Sequence, residues 1–263
     1  MFERPTAVVA WHGTRNPDGR DDTGRLTSLL AARLADVRVV AGFVDEEVQA
    51  PALSDILTAE LASTSAAVVV IPAFIAAGYH VGHDIGAAAQ VATRGDRGQL
   101  NRVLVSPHLG RDLRDQRGAP EPRLVDAVLA SAAAAARPSA AAKADDDAPG
   151  AAGAELPADA CGDLVLASAG SSFESVGVEI ERLRSAVAER YTAGEVRHAV
   201  LDASFDVRKR EICVPLLLAR GFFAGRARGA GGVQAPLLGD EPAVDHIIEA
   251  LAERFLDAAE ERR

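Results

Sequence analysis

Short apolar runs of strand length alternate along this chain with stretches that carry leucine and alanine at helical spacing. Thr6–Ala10 reads as a buried strand and Gly13–Gly19 as the polar, turn-rich loop behind it. Asp22–Ala35 sets Leu26, Leu29, Leu30 and Leu34 on one helical face and ends before a strand over Val37–Phe43. Pro51, placed near a helix start, introduces a helix over Ala52–Ala62. Ala66–Ala73 is a continuous apolar run built on Val68–Ile71, the signature of a strand covered on both faces. A helix over His83–Thr93, a strand over Arg102–Ser106 and a closing helix over Arg123–Ala135 complete this half.

Strand, helix, strand, helix with short connections predicts a parallel sheet flanked by helices. In such sheets ligands collect beyond the carboxyl ends of the strands. His12 follows the first strand and His80 follows the Val/Ile strand, so the pattern alone places both at that edge.

Ser131–Asp159 differs in kind. An alanine run there leads into the acidic triplet Asp145–Asp147 and then into Pro, Gly and more alanine, which reads as a linker once the helix has ended. Beyond it the pattern restarts. Leu164–Gly170 (LVLASAG) parallels Ala7–Gly13 (AVVAWHG), Ile212–Gly221 parallels Val69–Gly78, and Val233–Gly239 parallels Leu104–Gly110. The repeat predicts two tandem α/β units: 1–135 carrying the histidines, a linker over 136–160, and a degenerate copy over 161–263. Ala169 stands in the copy where His12 stands, and Phe223 where His80 stands.

At 263 residues, with 48% hydrophobic and 25% charged residues, the chain has enough material for one large or two modest cores. Aromatics make up only 4%, so Ala, Val, Leu and Ile must build them. No stretch approaches the roughly 20 apolar residues that span a bilayer. The N-terminus lacks the pattern of a signal peptide. The two cysteines, Cys161 and Cys213, offer no CxxC pair, so neither a disulfide framework nor an iron–sulfur cluster is expected. These features point to a cytoplasmic protein with no membrane partner. A net charge of -10 argues against a nucleic-acid partner. It also requires that local arginines, and not the global field, receive any acidic ligand.

The segments AWHGTRNP and VVVIPAFIAAGYHVGHDI carry the chemistry. They resemble the CbiX/SirB-type sirohydrochlorin chelatases, relatives of the class II chelatase fold. His12-Gly13-Thr14-Arg15 matches the family's His-Gly-Ser-Arg-like loop with Thr for Ser, and Pro72 through Ile85 matches its second histidine motif. Gly42-Phe43-Val44-Asp45 with Pro51-Ala52-Leu53 resembles a third segment, Asp45 standing where the family has glutamate. The resemblance is strong to about residue 130 and covers the two-copy architecture beyond it. It implies two chelatase-like α/β units packed around a cleft, since single-copy relatives pair as dimers.

The implied activity is a lyase-class insertion of a divalent metal into a tetrapyrrole, with Fe²⁺ favoured and siroheme the product. A cobaltochelatase of cobalamin synthesis is the alternative, and a non-catalytic carrier of metal or tetrapyrrole the competing class. The implied partners are sirohydrochlorin, or a related polycarboxylate tetrapyrrole, and the metal ion, with no cofactor beyond that Fe²⁺ or Co²⁺. Imidazole suits the task because it both ligates such ions and accepts protons near neutral pH. His12 and His80 are the expected catalytic and metal-binding residues, with Asp45 a further oxygen ligand and Arg15 the partner of a substrate carboxylate. Arg220, Arg226 and Arg228 are candidates for further carboxylate contacts from the second copy.

Blander readings compete for some of these residues. A lone histidine after a strand is usually structural, and it is the pair in matching motifs that carries the functional reading. His83 and Asp84 read as polar residues at a helix N-terminus, Asp84 favourable to its dipole. His108, His198 and His246 fall outside the matched motifs, and Trp11 reads as a packing residue. The Gly13–Gly19 loop lacks a phosphate-binding pattern, and no Gly-x-Ser-x-Gly elbow occurs.

Overall fold

The computed structural model describes residues 4–115, 117–136 and 162–260. The segment read as a linker over 136–160, its acidic triplet included, lies outside them except for Ala136.

The first half forms β1 (Thr6–Trp11), α1 (Pro17–Arg33), β2 (Val39–Phe43), α2 (Leu53–Ser63), β3 (Val68–Pro72), a π-helical turn (His80–Asp84) running into α3 (Ile85–Thr93), α4 (Arg97–Leu100), β4 (Val103–Val105) and α5 (Pro122–Ala136). The second half forms β5 (Leu164–Ser168), α6 (Glu174–Ala188), β6 (Val196–Val200), β7 (Ile212–Pro215), α7 (Phe222–Gly229), β8 (Val233–Gln234) and α8 (Val244–Glu260). Two parallel four-stranded sheets result, in the orders β2-β1-β3-β4 and β6-β5-β7-β8. Matching order in the two sheets is what the internal repeat predicts.

Two helix starts differ from the sequence expectation. α1 begins at Pro17 and not Asp22, because Asn16 caps it, its side chain accepting from the Gly19 N–H at 3.1 Å, and proline at the first turn forfeits no helical hydrogen bond. Part of the expected Gly13–Gly19 loop is therefore helix. The helix expected from His83 instead starts at His80 through the π turn, which periodicity of 3.6 cannot register.

Among the described residues three cores hold five layers. Val8, Ala10, Val68 and Val70 pack the outer face of the first sheet against α2 and α3. Val165, Ala167 and Cys213 do the same for the second sheet beneath Ala227 of α7. Between the sheets runs one continuous core, fed by Ala7, Val9 and Trp11, by Leu164 and Leu166, and by α1, α5, α6 and α8. Within it the last helices are exchanged: α5 packs on β7 and β8 of the second sheet, whereas α8 packs on β3 of the first. The helix that the sequence reading has closing the first unit crosses to the other. Arg254 of α8 fastens the exchange. Fully buried, it donates to the carbonyls of His108, Leu109 and Arg111 and pairs with Glu121 at 3.2 Å.

Candidate active site

The site forms where β1, β2 and β3 end. β1 delivers His12 into solvent, and the next residue, Gly13, turns at φ +102°, a conformation that favours glycine. That turn lays the loop on the end of β2. The Asp45 N–H donates to the His12 carbonyl at 3.1 Å, and the Thr14 N–H donates to Gln49 Oε1 at 3.0 Å. Arg20 completes the brace by donating to the carbonyls of Thr14 and Val48.

His80 arrives from the other side, on the π turn after β3. Its ring centroid lies 4.3 Å from that of His12, edge to face at 80°. The two sequence-predicted histidines, 68 positions apart (80 − 12) in the chain, are thus in contact. Each is oriented by an oxygen on the same ring nitrogen. His12 Nδ1 lies 3.1 Å from the Gly13 carbonyl, and His80 Nδ1 lies 2.6 Å from Asp84 Oδ2. An oxygen acceptor draws the proton to Nδ1 and leaves the Nε2 lone pair available. Two Nε2 lone pairs on touching rings can receive one metal ion, or divide ligation and proton acceptance between them.

Asp84 is the residue the sequence reading undervalued. Its second oxygen faces His83 Nδ1 at 3.1 Å, so one carboxylate holds both imidazoles of the turn. In a π turn the residue four positions on falls beneath His80, and that spacing is the signal that was available in the His80–Asp84 pair. Phe74 stacks at 6.1 Å from His80, and Tyr79 stacks over His83 at 4.7 Å.

The remaining predicted residues divide. Arg15 is exposed, and among the described residues no carboxylate pairs with it. Asp45 sits beside His12 through its backbone. Its carboxylate does not close a three-ligand cluster with the histidines, and no group of three or more His, Cys, Asp or Glu residues positioned for a metal occurs among the described residues. Arg220, a candidate for substrate contact from sequence, is engaged elsewhere: it forms a two-point pair with Asp22 of α1. Arg226 donates to the Leu201 carbonyl and lies 5.1 Å above the Phe222 ring. Arg228 lines a small cavity of about 130 Å³ with Pro215, Gln234 and Asp240.

The second unit closes against the site through two reciprocal contacts. Asp22 of α1 accepts from the Arg220 N–H at 2.8 Å, and Glu179 of α6 accepts from the Ala77 N–H at 2.7 Å. Asp22 and Glu179 occupy equivalent positions of the repeat, as do Arg220 and Ala77. Burial alone would push Asp22 up, but the hydrogen bonds and charge of Arg220 outweigh it and hold the carboxyl below its ordinary range. Glu179 is likewise raised by burial and lowered further by His108 and the Ala77 amide, for a net depression. His108, buried, brings Nε2 to 3.2 Å from Glu179 without the alignment of a hydrogen bond. This cross-unit strut had no sequence signature.

Residues 6–114 match the family model of CbiX. No curated protein matches the chain by sequence. Among solved structures, SirB from Bacillus subtilis with Fe³⁺ aligns at a TM-score of 0.70 and 16% identity, covering 99% of this chain and 97% of that one. The sirohydrochlorin chelatase SirB from Bacillus subtilis subspecies spizizenii, in complex with cobalt, aligns at 0.68 and 16% identity over 98% and 97% of the two chains. CbiX, described as the terminal enzyme for biosynthesis of siroheme in denitrifying bacteria, aligns at 0.60 and 18% identity over 95% and 99%. The N-terminal unit carries the CbiX match, and the whole described chain shares the chelatase-like α/β fold. The resemblance drawn from the two histidine motifs holds in both respects.

Proposed function

We propose that this chain is a chelatase that inserts a divalent metal, Fe²⁺ before Co²⁺, into sirohydrochlorin or a closely related polycarboxylate tetrapyrrole. The observation that carries the reading is the His12–His80 pair, with both Nδ1 atoms tied to oxygen and both Nε2 atoms available. The CbiX match over the segment that holds both histidines supports it.

Insertion exchanges two pyrrole N–H protons for one M²⁺. One imidazole takes the ion from its hydration shell through Nε2, and its neighbour accepts protons as the pyrroles release them. Asp84 keeps His80 in the tautomer that both roles require. Asp45 is the proposed oxygen ligand, recruited as the ion arrives at the end of β2. Arg15 is the proposed partner for a rim carboxylate, where a planar guanidinium makes two parallel hydrogen bonds.

Anaerobic turnover tests the reading. Sirohydrochlorin is offered with Fe²⁺, Co²⁺ or Ni²⁺ separately, and its absorbance change is followed for wild type, His12→Ala and His80→Ala above the uncatalysed background. Multiple turnovers by wild type, reduced about 100-fold or more in each variant, are expected. At most one metallated product per chain would make the protein a carrier, and faster cobalt insertion would assign it to cobalamin synthesis.

A further inference from the structure

The second unit has lost both histidines yet keeps its strand-end loops against the first. Those loops carry aromatic side chains in the open. Among the described residues the exposed aromatics are Tyr79 (47%), Phe173 (44%) and Phe222 (70%), in a chain with only 4% aromatic residues. All three lie beyond the carboxyl ends of central strands: β3, β5 and β7. Isolated exposed apolar residues need no explanation, but confinement of the exposed aromatics to one edge of the fold does.

Their neighbours tie them to the histidines. Phe173 follows β5 and reaches across to Tyr79, the residue before His80, at 6.1 Å between ring centroids. Phe222 follows Gly221, where a Cβ would lie 3.4 Å from the Thr14 hydroxyl, two residues beyond His12. Each histidine-bearing segment therefore has one exposed phenylalanine of the second unit beside it. Phe222 and Phe223 occupy the repeat positions of Tyr79 and His80. Phe223 packs, partly buried, against the outer core of the second sheet, whereas Phe222 stays in solvent with the Arg226 guanidinium 5.1 Å over its ring.

We infer that the second unit, having given up the chemistry, supplies an aromatic wall for the flat face of the substrate, with Phe222 and Phe173 as its stacking residues. This rests on the chelatase reading and names where that substrate binds. A conjugated macrocycle ringed by carboxylates matches this arrangement: aromatic faces for its plane, and Arg15, beside Thr14, for its rim. The two copies have thus divided their labour, imidazoles on one and stacking faces on the other.

The test is direct binding of metal-free sirohydrochlorin, read by quenching of its own fluorescence, alongside steady-state insertion. Phe222→Ala and Phe173→Ala are each expected to raise the sirohydrochlorin Kd and KM about fivefold or more, with the metal KM unchanged. Phe222→Tyr, which keeps the ring, is expected to bind as wild type does, and thermal melts confirm that these exposed substitutions leave the fold intact. Sirohydrochlorin affinity unchanged in both alanine variants and in their double variant would overturn the wall while leaving the chelatase reading in place. No quenching by wild type would overturn that reading, and the wall with it.

Discussion

Asp22, on the first helix of one unit, accepts hydrogen bonds from both the backbone N–H and the guanidinium of Arg220, on the third strand-end loop of the other. Glu179 repeats the backbone half of this contact on Ala77, with His108 in place of the guanidinium. Each unit thus uses a carboxylate from its own first helix to hold its neighbour's third strand-end loop, which in the first unit leads to His80. Ala77 lies three residues before His80, so Glu179 helps set where that imidazole stands.

Arg220→Ala should destabilise the chain by about 2–3 kcal/mol. Asp22 is 2% exposed and would keep the backbone N–H of residue 220 but lose its counter-charge, a loss held below that of a fully buried pair because the Arg220 side chain is 40% exposed. Urea denaturation checks this. Asp22→Asn with Arg220→Ala should cost less than the sum of the two single changes, because the contact is shared.

Acid should weaken the same contacts. Asp22 and Glu179 both have carboxyls depressed on folding, so the unfolded chain takes up their protons first. Their contribution is complete above the ordinary carboxylate range, about pH 4, and is lost as pH falls through the lower folded values. Melting temperature measured from pH 6 down to pH 2 should fall less steeply in Asp22→Asn than in wild type. Equal slopes would show that this carboxylate does not gain from folding.

Asp84→Ala should lower kcat for insertion about 10–100-fold with little change in the sirohydrochlorin KM, since it frees the His80 ring without touching the substrate wall. Asp84→Asn, which retains an oxygen acceptor for Nδ1, should keep more activity than the alanine variant. His83→Ala removes the second partner of that carboxylate and the ring stacked against Tyr79, leaves the His80–Asp84 contact in place, and should stay near the wild-type rate. A reversed order of these variants would place the key imidazole at His83.

Among the described residues Gly110 and Gly239 mark the closest backbone crossings. A Cβ on Gly110 would lie 1.7 Å from the Ile75 carbonyl oxygen, and one on Gly239 would lie 1.9 Å from that of Leu218, the equivalent residue of the repeat. Either glycine changed to alanine should cost at least about 2 kcal/mol, because backbone must move. Gly86→Ala is the contrasting case: nothing lies within 4 Å of its added methyl, in helix α3, and the variant should gain about 0.5–1 kcal/mol. Denaturant midpoints for the three variants compare them directly.

The amino-acid sequence by itself determined the alternation of strand and helix, the duplication, and the strand ends from which His12 and His80 project. These are properties of local pattern: unbroken Val/Ile runs demand strands covered on both faces, and a parallel strand must end where its loop begins. Capping placed α1 earlier than leucine spacing suggested, and the π turn at His80–Asp84 escaped a reading tuned to 3.6 residues. Only the tertiary structure decided that α5 and α8 change places between the sheets, because an apolar stripe such as Leu124, Val125, Val128 and Ala132 says that a face must be buried and not against what. The same limit hid the struts from Asp22 and Glu179, whose partners lie 198 and 102 residues away in the chain. A carboxylate on a helix surface looks solvated in sequence, and it becomes a fastening only when folding brings a distant N–H to it and removes the water between them.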